Sequence, residues 1–209
     1  MPFQPRLDIL PKSQRALWNE LRDVPAEFTL YGGTAVALHL GHRQSVDFDF
    51  FATQAISPAN LYAEIRFLKE TKIIQQEKNT LTCIVDRGGP VIVSFFGLPH
   101  IRSVQPAHVC DDNQIKVASL VDLSGMKAAV VQQRAEAKDY IDLDAIISAG
   151  VSLPTALSAA QFIYGPGFNP QITLKALSYF DDGDLPELPD DLKQRLVKAV
   201  DATDLSKLP

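Results

Sequence analysis

The chain contains very little cysteine, and its two cysteines are far apart. Cys83 and Cys110 form no Cys-x-x-Cys pair, and no histidine stands at zinc-ligand spacing from either of them. A disulfide framework needs several cysteines at short spacings, and a structural zinc site needs a full set of clustered ligands. The cysteine content therefore argues against both kinds of stabilisation.

Long apolar runs are also missing. No stretch is long and apolar enough for a transmembrane helix, and the first residues, MPFQPR, lack the basic-then-apolar order of a secretory signal. We therefore expect a cytoplasmic protein with no membrane association.

The sequence has no run of lysine or arginine, and its formal net charge is −5. Proteins that bind long nucleic acid without sequence preference neutralise many phosphates with clustered basic side chains. Non-specific DNA binding is therefore disfavoured. A local patch for one RNA end remains compatible with an acidic total, although scattered solubility charges explain the same residues equally well. These residues are Arg43, Arg66, Lys69, Lys72 and Arg134.

What the chain does have is enough apolar material for a core. It has 209 residues, of which 46% are hydrophobic, so it can bury one or two small domains. Short β-prone runs alternate with helical segments at first, and from Val117 onward the pattern is nearly all helical. This order predicts an α/β (α+β) fold followed by a helical carboxy-terminal region. A composition shift near residues 106–113 predicts domains at 1–110 and 111–209, with substrates in the groove between them.

The most informative segment is FTLYGGTAVALHLGHRQSVDFDFF, from Phe28 to Phe51. Gly32 and Gly33 have no Cβ, so the backbone can turn sharply and approach a ligand closely. The helix that follows opens at Gly33 and Thr34, and its first turn offers backbone N–H groups and a positive dipole end to an anion. The segment therefore predicts a phosphate-binding turn.

The strand at the end of this segment alternates between apolar and acidic residues. Phe48 and Phe50 share one face, and Asp47 and Asp49 share the other. Strand geometry puts the two carboxylates roughly 6–7 Å apart. Such a pair suits Mg²⁺ (or Mn²⁺), which takes oxygen ligands and is completed by waters and substrate phosphates. The bland alternative is the solvated face of an edge strand.

A second constellation lies in the helical stretch from Leu120 to Ala149. Lys127 and Arg134 share one helix face, and Asp139 and Asp142 share a face of the following segment. Lys127 has apolar neighbours, so its ammonium must either extend to solvent or face a polar site. The alternative is an ordinary set of surface pairs, each worth about 0.2–0.5 kcal/mol.

Together, GGTAVALHLGHRQSVDFDFF and MKAAVVQQRAEAKDYIDL resemble the motifs of a known family. They are similar to the nucleotidyl transferase toxins of bacterial abortive-infection systems (the AbiEii/AbiGii type), within the DNA polymerase beta nucleotidyltransferase superfamily. The resemblance covers roughly residues 28–147. It implies a nucleotidyltransferase-like mixed sheet with flanking helices, in which the helical domain completes the active-site groove.

The resemblance also implies roles for individual residues. Gly32, Gly33 and Thr34 would contact the nucleotide phosphates, and Asp47 and Asp49 would bind the metal. Lys127 would hold the triphosphate, with Asp139 organising the site and Asp142 and Arg134 as secondary candidates. Arg43 lies in the family's His-Arg-x-Ser step as a nucleotide contact, or else is a solvated loop arginine.

One position departs from the superfamily pattern. A third carboxylate usually comes from a later strand, and here the candidate strand, VIVSFF at 91–96, carries Ser94 at that position. An unactivated hydroxyl is a poor base, and losing one general base costs about 10²–10⁴ in rate. Three outcomes stay open: the reaction proceeds without that base, Asp139 serves instead, or the site binds nucleotide without turnover.

The leading hypothesis is an Mg²⁺-dependent nucleotidyltransferase that acts on an NTP. By resemblance, its acceptor would be a tRNA or a protein, its effect would be toxic, and an antitoxin would be encoded alongside it. One alternative is a catalytically weak nucleotide-binding or interaction module. Another is a transferase that modifies a small molecule.

Overall fold

A computed structural model describes residues 3–209. The chain forms two compact units. The amino-terminal unit comprises the residues up to Ile101 together with Pro106–Ala118, and the carboxy-terminal unit comprises Arg102–Gln105 together with Ser119–Pro209. The composition shift predicts a boundary after residue 110. The structure instead keeps the following residues up to 118 in the first unit, because a short strand there pairs with its sheet.

The amino-terminal unit is built on one sheet. Its seven described strands are β1 (Thr29–Tyr31), β2 (Asp47–Ala52), β3 (Lys72–Glu77), β4 (Thr80–Asp86), β5 (Pro90–Gly97), β6 (His108–Val109) and β7 (Lys116–Val117). Their order is β3-β4-β5-β2-β1-β7-β6. β2 runs parallel to β5 and β1 runs parallel to β7, whereas the other neighbours are antiparallel. The sheet is therefore mixed, as predicted.

Among its described residues the same unit has three short α-helices: α1 (Lys12–Leu17), α2 (Gly32–Leu40) and α3 (Pro58–Glu64). The apolar periodicity of residues 11–22 predicts a single opening helix. α1 is shorter than this, because the chain tightens into a 3-10 helix at Trp18–Asp23. α3 begins at Pro58, whose fixed φ suits the first helical position.

The predicted alternation along β2 is confirmed. Phe48 and Phe50 are completely buried, whereas Asp47, Asp49 and Phe51 are half-buried. The Phe50 ring stacks on that of Phe95 in β5, with centroids 5.4 Å apart. Packing on this face fixes the register of β2, because a slip by one residue would bury the carboxylates instead of the rings.

The carboxy-terminal unit contains five α-helices among the described residues. They are α4 (Leu120–Val130), α5 (Ala137–Ser148), α6 (Leu153–Tyr164), α7 (Pro170–Ala176) and α8 (Asp190–Asp201). Ser119 caps α4, since its hydroxyl accepts a hydrogen bond from the backbone N–H of Asp122 at 3.0 Å. The unit is helical, as expected. Leucines from α5, α6 and α8 meet in its buried core.

Two of these helices end earlier than their sequence pattern predicts. The pattern continues to residue 134 for α4 and to residue 180 for α7, but the helices end at Val130 and Ala176. After α4 the chain turns, and the Gln132 amide donates to the Asn169 carbonyl oxygen and to Thr173 Oγ1 at 2.9 and 2.8 Å. This contact is tertiary, so periodicity could not predict it.

Among residues 3–209, no single helix is long and apolar enough to cross a membrane. By length and composition alone, α5 and Leu153–Gly167 meet the criterion as a pair bent by 117°.

Candidate active site

The acidic strand β2 lies between β1 and β5 in the sheet. Asp49 is the register partner of Tyr31 on one side and of Ser94 on the other. Residues that pair across neighbouring strands point to the same face. Asp47 and Asp49 therefore share a face with Tyr31 and Ser94, opposite the phenylalanine core.

Gly32, the first glycine of the turn, lies against the side chain of Asp49. A Cβ on Gly32 would lie 2.5 Å from Oδ2 of Asp49, closer than real atoms approach. Gly32 also has a φ of 72°, a conformation that other residues rarely adopt. The positive φ therefore favours glycine at this position, and a Cβ there would displace the Asp49 carboxylate from where it lies.

The second glycine lies beneath the loop that precedes β2. A Cβ on Gly33 would lie 2.5 Å from a terminal nitrogen of Arg43 and 3.0 Å from Oγ of Ser45. The Arg43 guanidinium also donates to the Gln44 carbonyl oxygen at 2.8 Å. The structure thus brings Arg43 to the start of α2. Sequence reasoning missed Ser45, although it closes the quoted His-Arg-x-Ser step.

Thr34 connects α2 to the acidic strand. Its buried hydroxyl donates a short hydrogen bond to the backbone carbonyl oxygen of Asp47. The hydroxyl is therefore engaged within the protein, and it ties the first turn of α2 to the first residue of β2. Nucleotide contact by Thr34 stays a prediction.

Ser94 stands on the acid face directly beside Asp49. It is buried, and its hydroxyl accepts a hydrogen bond from Thr82 Oγ1 at 3.4 Å, a long contact. The register therefore supports the comparison made from sequence: the strand position next to Asp49 carries a hydroxyl.

Lys127, Asp139 and Asp142 form a buried cluster in the carboxy-terminal unit. The Lys127 ammonium lies 2.7 Å from Oδ1 of Asp139 and 2.6 Å from Oδ2 of Asp142. The Lys127 side chain is 9% exposed and both aspartate side chains are 0% exposed. The Lys127 ammonium in α4 thus faces a polar site formed by α5. Of the two alternatives that the sequence leaves, extension to solvent or a polar site, the structure shows the second.

Arg134 extends this cluster toward solvent. Its Nε donates to Oδ2 of Asp139 at 2.7 Å, and the Arg134 side chain is half exposed. Burial alone would raise the pKa of the Asp139 carboxyl. The hydrogen bond from Arg134 and the charge and hydrogen bond of Lys127 outweigh burial, so the pKa lies below its ordinary value. Asp139 is therefore held as a carboxylate.

The amino-terminal unit offers an oxygen donor pair for a hard cation. Within the described chain, no group of three or more histidine, cysteine, aspartate or glutamate side chains could hold a metal ion. Mg²⁺ is commonly held by one or two carboxylates with waters and substrate phosphates. Asp47 and Asp49 share a face, so they fit a cation that arrives with a nucleotide rather than a structural metal.

The sheet is mixed, two carboxylates share one of its faces, and a helix that starts with Gly-Gly lies against them. Together these features define a nucleotidyltransferase-like class of protein. The family model described as "Nucleotidyl transferase AbiEii toxin, Type IV TA system" matches residues 15–207. The chain belongs to this toxin family, which confirms the resemblance.

Three known proteins are similar to this chain. An uncharacterised protein of Aquifex aeolicus is 33% identical over 119 residues, which cover 56% of this chain and 56% of that protein. A crystal structure of a proposed nucleotidyltransferase from H. pylori has a TM-score of 0.60 at 18% identity, covering 94% of each chain. MenT4, a nucleotidyltransferase toxin from Mycobacterium tuberculosis, has a TM-score of 0.64 at 15% identity, covering 92% of this chain and 83% of its own. At these identities the two solved structures establish the predicted fold class. The chain spans about half the length of the curated relative from Aquifex aeolicus.

Proposed function

We propose that this protein is an Mg²⁺-dependent nucleotidyltransferase that transfers a nucleotide from an NTP to an acceptor such as tRNA or a protein. One observation carries the proposal. The Asp49 carboxylate lies against Gly32, and Asp47 lies on the same face of the same strand. Family membership supports the same reaction class.

The residues of the amino-terminal unit would act by positioning and by charge. Asp47 and Asp49 would hold the cation, and Gly32 and Gly33 would present backbone to the phosphates. Arg43, held at the start of α2, would add a guanidinium near the same phosphates. When bound, Mg²⁺ would neutralise charge on the phosphate oxygens.

Lys127 would hold the triphosphate, and Asp139 would orient Lys127. The ion pairs with Asp139 and Asp142 support the second role, because they restrict the ammonium to one place. A restricted cation stabilises developing charge without reorganising during the reaction.

A label-transfer assay tests this proposal. The purified protein is incubated with each labelled NTP, Mg²⁺ and total tRNA, and separately with protein extract. We expect transfer by the wild type and a loss of at least about 10²–10³-fold in a variant with Asp47→Asn and Asp49→Asn, because the cation would lose both carboxylates. A variant with Asp181→Asn and Asp201→Asn, which changes two exposed acids, should keep full activity.

A second candidate is a nucleotide-binding module with weak turnover, and the observation that favours it is Ser94 beside Asp49. The same assay distinguishes the two. NTP binding without transfer to RNA, protein or small molecules would support the module, whereas transfer to small molecules alone would exclude a macromolecular acceptor.

The family's place in type IV toxin–antitoxin systems supports an antitoxin partner encoded alongside this chain. Induced expression should then arrest growth, and co-expression of the neighbouring gene should restore it. Normal growth during induction would contradict the toxin role without affecting the proposed chemistry.

A further inference from the structure

Three aromatic residues lie on the acid face, which is the face of the sheet that carries Asp47 and Asp49. Phe51 follows Asp49 by two residues in β2, so its side chain points to the same face. Phe96 in β5 is the register partner of Phe51, and Tyr31 in β1 is the register partner of Asp49. The three rings therefore lie immediately beside the acid pair.

These three rings, which we call the aromatic row, contact one another. The Tyr31 and Phe51 ring centroids are 5.2 Å apart at an interplanar angle of 78°, and the Phe51 and Phe96 centroids are 5.0 Å apart at 28°. All three residues are half-buried, whereas Phe48 and Phe50 on the opposite face are completely buried. Part of the aromatic row therefore stays accessible, unlike the rings of the core.

The strand neighbours of the aromatic row on this face are polar. Thr80 in β4 pairs with Phe96, and Thr29 in β1 pairs with Phe51. Lys116 in β7 is the next residue across the sheet, since it pairs with Thr29. Ligand sites in proteins commonly combine aromatic side chains with a few polar groups that fix the orientation of the ligand. Accessible rings beside a proposed cation site indicate contact with an apolar part of that ligand.

The order of groups along β2 matches the order of parts in a nucleotide. Arg43 lies against Gly33 before the strand begins, the acid pair occupies its start, and the aromatic row follows. An NTP has its triphosphate, sugar and base in the same order. Strand geometry places Phe51 about 7 Å beyond Asp49, within reach of a base that one sugar joins to the phosphates.

We propose that the aromatic row is the surface on which the nucleobase of the NTP stacks. This inference rests on the proposed transfer function and adds the residues that hold the base. Every base has a π-face, and stacking on aromatic side chains is tolerant of base identity. The aromatic row therefore holds ATP, CTP, GTP and UTP by the same contact and does not select among them.

Two probes separate the base from the phosphates. The full chain, with Mg²⁺ and without acceptor, is titrated with the triphosphate of 2-aminopurine riboside, whose fluorescence reports stacking. Inorganic tripolyphosphate, which has no base, is titrated by calorimetry. We expect Phe51→Leu and Phe96→Leu each to weaken nucleotide binding about tenfold and to reduce the fluorescence change, because leucine has no π-face. The affinity for tripolyphosphate should stay unchanged.

Two further variants serve as controls. Phe51→Tyr keeps the ring and should bind the nucleotide normally. Phe28→Leu is the matched change in the core of the same unit, where the Phe28 ring is buried and contacts Phe95 with centroids 5.2 Å apart. This variant should unfold at a lower temperature but keep the wild-type nucleotide affinity, so it separates loss of fold from loss of stacking.

Kinetics provide a second measurement in the label-transfer assay. A stacking contact made equally in the ground state and the transition state contributes to substrate binding without changing kcat. Phe51→Leu and Phe96→Leu should therefore raise KM about tenfold for each of the four NTPs. Their kcat at saturating NTP should stay within about twofold of the wild-type value.

The outcomes distinguish this inference from the proposed function. Unchanged nucleotide affinity in both leucine variants would overturn the stacking role, while label transfer by the wild type would still support the transferase. Equal weakening of tripolyphosphate binding would show that the rings maintain the site rather than hold a base. Weaker binding of a short single-stranded RNA alone would assign the aromatic row to the acceptor and overturn the proposal. Failure of the wild type to bind either phosphate probe would overturn both proposals.

Discussion

At the scale of single residues, three consecutive positions arrange the acid face. Gly32 leaves room for Asp49, Gly33 leaves room for Arg43, and Thr34 holds the Asp47 carbonyl. Each contact depends on the absence of a side chain or on one hydroxyl. The Gly-Gly-Thr turn therefore arranges the acid face through contacts within the protein.

Thr34 is the position where this can be tested most cleanly. Thr34→Val keeps the shape but removes the hydroxyl that holds Asp47, so β2 should shift relative to α2. Because a small misplacement of a reacting group can cost about 10²-fold, we expect kcat for nucleotide transfer to fall by about 10–100-fold. Affinity for Mn²⁺, followed by paramagnetic relaxation of water, should fall as well.

Thr34→Ser provides the control, since it retains the hydroxyl and should restore both activity and Mn²⁺ affinity. If Thr34→Val keeps wild-type kcat and Mn²⁺ affinity, the hydrogen bond to Asp47 has no positioning role. If the serine variant is as impaired as the valine variant, the methyl group matters instead.

At the scale of elements, the contact between α4 and α5 depends on charge inside the unit. Lys127 extends from α4 to two completely buried aspartates on α5. Removing one member of a buried ion pair leaves an uncompensated charge, which costs much more than the pair contributes when intact. The cluster therefore links the fold of this unit to the residues proposed to act on the triphosphate.

Lys127→Met should consequently destabilise the protein by about 3–5 kcal/mol in urea unfolding, because the two carboxylates lose their ammonium. Lys138→Met is the matched control. Lys138 is exposed and makes a surface ion pair with Glu136 at 2.8 Å, so its loss should cost at most about 1 kcal/mol. Equal effects of the two changes would contradict a structural role for the buried cluster.

At the scale of the whole molecule, stability should depend on pH through His39. Burial lowers the pKa of His39 to about 4, against an ordinary value of 6.5. The ring packs against Phe3 and His108, and Nε2 lies 2.9 Å from the Ala118 carbonyl oxygen. The folded protein thus holds His39 neutral over a range in which the unfolded chain binds a proton.

The sign follows from this difference. As the pH falls from about 6.5 to about 4, the unfolded state gains a proton that the folded state excludes, so the free energy of unfolding decreases. The slope is at most about 1.4 kcal/mol per pH unit. Urea unfolding across this range measures it, and His39→Gln should flatten the slope. An unchanged slope in that variant would show that other groups cause the acid sensitivity.

The main elements could be anticipated because they have local causes. The alternation in β2 and the apolar periodicity of the helices both depend on residues that are close together in the sequence. The ends of α4 and α7 could not be anticipated, since the contact of Gln132 with the start of α7 joins residues distant in sequence. Cys110 likewise gave no local sign of its complete burial.

The sequence by itself determined the type of fold, the Gly-Gly turn and the acid strand, since each rests on residues close together in the chain. Only the tertiary structure decided that Asp49 lies over Gly32, that Ser94 is its strand neighbour and that Lys127 faces two buried aspartates. These contacts depend on strand register and helix packing, which bring distant residues together. The Gly-Gly turn therefore has a second task that its sequence pattern did not indicate, because the atoms it accommodates come from another strand.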